Sequence, residues 1–163
     1  KRLFCFFLSK LTGSEPHLQS LRNIQCLKNI LVTISSPNKN IVLSSLKIIF
    51  DIWCHGKYID ELAVLGEELN AFIPLIEADS IIMNHTIRIL KCLSSCDSSC
   101  ATISQYHPLL NKILPTLLTL QTTEDKAVPL VLETIRNLSN CSSVKTILCK
   151  KPLMAELIRQ LKE

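Results

Sequence analysis

Apolar residues recur along this chain at helical spacing, not at the alternating spacing of a strand. Three stretches carry the pattern: LKIIFDIWCH from Leu46, IRILKCLSSC from Ile87 and LETIRNLSNC from Leu132. In each, apolar side chains stand at i, i+3 and i+6, which is one face of a helix. Leu46, Ile49 and Ile52 correspond to Ile87, Leu90 and Leu93 at an offset of 41 residues, and those to Leu132, Ile135 and Leu138 at an offset of 45. All nine are expected in the core. A second set agrees: PLLNKILPTLL from Pro108 matches PLMAELIRQLK from Pro152 at an offset of 44. The stretches ELNAFIPLIEAD (68–79) and LKNILVTISSPNKN (27–40) hold the same place in earlier units. A period of this length signals a repeat architecture, whose units bury their apolar faces on one another.

Each unit then consists of a short helix, a second helix, a polar turn and a longer helix. The turns are SSPNKN, EADS and QTTED, built from residues that favour turns or helix caps. Pro108 and Pro152 stand where a first helical position tolerates proline. The expected division is one domain over residues 1–163, in units of roughly 1–38, 39–79, 80–124 and 125–163.

Composition supports helices. The chain of 163 residues is 47% hydrophobic and has only 3 glycines, too few for the turns of a β-sandwich. The net charge of +4 is spread along the chain, whereas a nucleic-acid surface clusters its Lys and Arg. The strongly apolar stretch NIVLSSLKIIFDIW is interrupted by Lys47 and Asp51 and is shorter than the roughly 20 residues of a membrane span. The opening KRLFCFFLSKL has a short apolar run with no cleavage pattern after it. That opening, the missing initiator Met and the end in LIRQLKE give the expectation of a fragment of a longer chain.

Eight cysteines raise the question of metal or redox chemistry, above all Cys92, Cys96 and Cys100 at even spacing. Cys92 and Cys96 share a helix face, so a metal pair is geometrically open to them, with Cys100 and His107 as further ligands. Zinc wants two close pairs, and SSCDSSC supplies no second standard pair. These cysteines are expected to pack as small hydrophobes at a helix end and in the loop after it. The cysteines in general are expected as thiols in a reducing, intracellular setting, the cytoplasm with the nucleus as alternative. Cys54 beside His55 does not make a nucleophile and base, because adjacent residues point apart. His17, His85 and His107 are isolated, and no phosphate-binding glycine loop occurs. No catalytic residue, metal or cofactor is expected.

VLETIRNLSNCSS followed by LMAELIRQLK resembles an armadillo repeat, and so does NHTIRILKCLSS followed by LLNKILPTLLTL. The resemblance covers residues 39–163 well and 1–38 as a partial unit, with HEAT repeats the close competitor. Armadillo units carry a glycine between their first two helices. Pro108 and Pro152 stand near that point here, with Gly66 in the middle unit, which leaves the subtype open. The resemblance implies an all-α, right-handed α-solenoid whose third helices line a concave groove for an extended or helical segment of another protein. Peptide-holding members carry a Trp and an Asn four apart on that helix. The Trp place falls on Lys47, Arg88 and Glu133, and the Asn place on Asp51, Cys92 and Asn137. Asn137 alone keeps the family residue, and Trp53, off the groove, is expected to pack between units. Phe50, Lys91 and Arg136 edge the same surface one turn along. The cations Lys47, Arg88, Lys91 and Arg136 suit an acidic or phosphorylated partner. The expected role is a non-enzymatic scaffold or adaptor. The alternatives are a structural segment of a longer solenoid, a homodimer through the terminal helices and, less favoured, a nucleic-acid binder.

Overall fold

The structure, a computed structural model, describes residues 24–54, 66–105, 110, 128–149 and 155. These residues form helices and the turns between them, with no strand among them. The elements are α1 (Ile24–Ile34), α2 (Lys39–Cys54), a 3-10 helix (Gly66–Phe72) that continues into α3 (Ile73–Ile76), α4 (Ser80–Ser94), α5 (Asp97–Gln105), α6 (Val128–Asn140) and α7 (Ser142–Leu148).

The long helices start where polar turns stop them from starting earlier. Before α2, the Asn38 side-chain oxygen accepts the Asn40 N–H at 3.0 Å. Before α4, the Asp79 Oδ1 accepts the Ile81 and Ile82 N–H groups at 3.1 and 3.3 Å. Each cap satisfies amides that the first helical turn leaves without a carbonyl. These turns lie in SSPNKN and EADS, as the sequence predicts; QTTED lies outside the described residues.

α4 packs against α2 on one side and α6 on the other. Contacts along each pair run in the same direction. The Lys91 ammonium meets Glu133 at 2.7 Å, and one turn on the Asn137 amide donates to the Ser94 hydroxyl at 3.2 Å. Lys39, at the start of α2, meets Asp79, at the start of α4, at 3.2 Å, and further along Lys47 acts electrostatically on His85. The three helices are therefore parallel. α1 packs on α2 and on the 3-10 helix, α3 and α5 on α4, and α7 on α5 and α6.

The buried face of α2 returns on α4. Val42, Ser45, Leu46, Ile48, Ile49, Ile52 and Trp53 are buried, and so are the residues 41 further on: Met83, Thr86, Ile87, Ile89, Leu90, Leu93 and Ser94. Burying each large aliphatic side chain stabilises by roughly 1.5–3 kcal/mol. The hydroxyls within this face do not stay unpaired. Ser45, Thr86 and Thr134 donate to the carbonyls of Ile41, Ile82 and Leu130, four residues back, at 2.8, 2.9 and 2.7 Å. Trp53 packs its ring against Phe72, with centroids 6.1 Å apart.

The sequence reading needs correction in three places. Residues 66–72 form a 3-10 helix, not an α-helix, because Leu69, Phe72 and Leu75 are buried at steps of three and a 3-10 helix puts i and i+3 on one edge. Cys100 lies within α5, not in a loop. Leu132 is 50% exposed, and Val131 occupies the core in its place. One residue turns the helix by roughly 100°, so α6 meets the core at this turn with Val131 while Leu132 faces outward. The repeats predicted around Pro108 and Pro152 lie outside the described residues, apart from the buried Leu110 and exposed Ala155.

Ile87→Ala is expected to lower the unfolding free energy in a urea titration by about 2–5 kcal/mol through the cavity it leaves. Leu132→Ala is expected to cost about 0.5 kcal/mol or less. Equal losses at the two positions would return Leu132 to the core.

Candidate functional site

Because α2, α4 and α6 are parallel and bury overlapping arcs, their remaining residues fall on a common outward surface. On α2 the outward stripe carries Lys47, Phe50 and Asp51; on α4 it carries Ile81, Asn84, His85, Arg88, Lys91 and Cys92; on α6 it carries Leu132, Glu133, Arg136 and Asn137. All nine groove residues expected from the sequence lie on these helices and none of them is buried.

Their roles divide. Lys91 and Glu133 pair with each other, and Asn137 is held by Ser94, so these three tie α4 to α6. Phe50 is half-buried against the core. Asp51 is half-buried, with interactions of its own. Lys47, Arg88 and Arg136 are exposed and make no ion pair among the described residues. The face thus presents four cations against two carboxylates, and one carboxylate is already engaged by Lys91.

His85 registers this imbalance. Burial of its ring lowers its pKa below the usual histidine value, and the positive charges of Arg88 and Lys47 lower it further. His85 therefore holds its proton less readily than an ordinary histidine. It lines an open cavity of about 270 Å³ with Ile81, Asn84, Arg88 and Leu130. The sequence reading treated His85 as isolated and did not select Ile81, Asn84 or Leu130. Helical spacing contained the signal, since Asn84 and His85 precede Arg88 by four and three residues and so share its face.

The cysteines do packing work. Cys100 is 1% exposed and donates its S–H to the Ser94 carbonyl at 3.1 Å. Burial, followed by contact with Cys141, pushes its thiol up to about 12, so it supplies no thiolate at neutral pH. Among the described residues no His, Cys, Asp or Glu cluster is arranged to hold a metal ion. Cys92 departs from expectation: it is disulfide-bonded, and its partner thiol is not among the described side chains. No described helix is long and apolar enough to cross a membrane.

In comparisons with known proteins, no family model matches this sequence and no curated protein is significantly similar to it.

Iodoacetamide at pH 8, read by peptide mass spectrometry on the native protein, is expected to label the exposed Cys149 at least about 100-fold faster than Cys100. Comparable rates would place Cys100 at a reactive surface. Arg88→Gln removes a cation that disfavours the imidazolium, so the His85 pKa should rise toward the ordinary value when followed by NMR. An unchanged titration would mean that Arg88 does not act on His85.

Proposed function

We propose that this chain is a non-enzymatic protein-interaction scaffold, an armadillo-like right-handed α-solenoid. The face formed by α2, α4 and α6 is its concave groove. There it binds an extended or helical acidic segment of another protein. The observation that carries this is the alignment of Lys47, Arg88 and Arg136 on neighbouring parallel helices, each exposed and without an ion pair among the described residues. A row of cations on a preorganised surface recognises carboxylates with little ordering cost on the protein side.

Three features support a protein partner over a small molecule or a nucleic acid. The cavity on the face holds about 270 Å³, below the roughly 300–1,000 Å³ of small-molecule sites. The large apolar side chains exposed there, Ile81 and Leu132, are aliphatic. Of the described aromatics, Trp53 and Phe72 are buried and Phe50 is half-buried against the core, so the face carries no row of exposed rings on which successive bases could stack.

The test is affinity capture from a cell lysate with the wild-type chain and with a Lys47→Glu, Arg88→Glu, Arg136→Glu variant whose helicity is checked by circular dichroism. A partner is expected on the wild type and lost, by about tenfold or more, from the folded variant. A photo-crosslinking residue at position 136 should join that partner to α6. Capture that is unchanged by charge reversal would move the binding surface off this face.

A further inference from the structure

The cavity between α4 and α6 combines two chemistries. On one side stand Arg88, with five N–H donors in a planar fork, the Asn84 carboxamide and the His85 ring. One turn earlier on α4 stands Ile81, 52% exposed, and across the cavity on α6 stands Leu130, packed against the core. Lys47, on the neighbouring α2, is close enough for its charge to act on His85. Arg88 makes no ion pair among the described residues, so its fork is open to a ligand. The cavity is open to solvent and has room for a side chain to enter from outside.

We propose that this cavity is the specificity anchor of the groove, seating one Asp or Glu side chain of the partner segment on Arg88 and Asn84, with the next apolar residue against Ile81 and Leu130. It rests on the groove assignment above and names the residue that the groove selects. Guanidinium and carboxylate match in a two-pronged hydrogen-bonded geometry, which a lysine cannot offer. Lys47 adds charge without a fixed geometry.

Binding at this seat takes up a proton. The groups acting on His85 are Lys47 from α2 and Arg88 from α4; α6 presents the uncharged Leu130, and Glu133, further along α6, is held by Lys91. Both cations oppose the imidazolium, whereas a bound carboxylate favours it. His85 therefore binds a proton more tightly in the complex than in the free protein, and affinity rises as pH falls through the range in which His85 of the complex takes up its proton.

The experiment selects phage-displayed random dodecapeptides on the wild-type chain, on Arg88→Gln and on Arg136→Gln. Both substitutions replace exposed residues, so the fold should be kept. Enrichment of an acidic residue followed by an apolar one is expected on the wild type and on Arg136→Gln, and lost on Arg88→Gln. The enriched peptide is then synthesised with Glu, Gln or phosphoserine at the acidic position. Glu→Gln in the peptide and Arg88→Gln in the protein should each weaken binding about tenfold and should not add when combined. His85→Gln should flatten the pH dependence. Acidic enrichment that survives on Arg88→Gln but disappears on Arg136→Gln would overturn the anchor and leave the groove standing. Enrichment without acidic residues, or none, would overturn both. Phosphoserine binding more than about tenfold tighter than Glu would reassign the seat to a phosphate.

Discussion

α4 lies between α2 and α6 and buries Ile82, Met83, Thr86, Ile87, Ile89, Leu90, Leu93 and Ser94. That arc is wider than a single partner can cover, because a helix resting on one neighbour needs an apolar stripe of little more than 100°. Leu90 and Ile87 must be covered while Ile82 and Ile89 are covered too, so α4 is stable only as a middle helix. The side-by-side contact with α2 and α6 follows from this. What α4 leaves uncovered is the short stripe from Ile81 to Cys92 that becomes the candidate site.

Polar contacts refine this packing more than they drive it. Lys28–Glu68, Lys39–Asp79 and Lys91–Glu133 join residues 40, 40 and 42 apart in sequence. All three pairs are at least partly exposed, so solvent screens them and each contributes little to stability. Their consequence is register, since a slip of one helical turn would separate every pair. The buried hydroxyls of Ser45, Thr86 and Thr134 act on shape, because a side chain bonded to the carbonyl four residues back tends to bend a helix. Register and curvature together decide how far apart Lys47, Arg88 and Arg136 stand.

The helical class, the positions of the long helices and the core of α2 and α4 were legible because they depend on local spacing. Leu46, Ile49, Ile52, Ile87, Leu90 and Leu93 are all buried, as their period predicts. The caps at Asn38 and Asp79 were legible for the same reason: a turn residue acts on amides two or three positions away. Leu132 was misplaced because its period matches that of Ile87 while its surroundings do not. Periodicity reports which residues share a face, and the number of neighbours sets how much of that face is covered.

The amino-acid sequence by itself determined that helices form, where the turns interrupt them, and that Lys47, Arg88 and Arg136 recur at equivalent or adjacent turns of the repeat. Tertiary structure alone decided which of those side chains are spoken for. Asn137, the family-like residue, is bonded to Ser94 across the helix pair, and Glu133 is held by Lys91. His85 gained its place beside two cations and an aliphatic lip because α2 and α6 bring Lys47 and Leu130 to it, from 38 residues before and 45 after in sequence. Spacing along one helix carries no information about contacts between helices. Those depend on register and crossing geometry, set by the summed packing of many side chains.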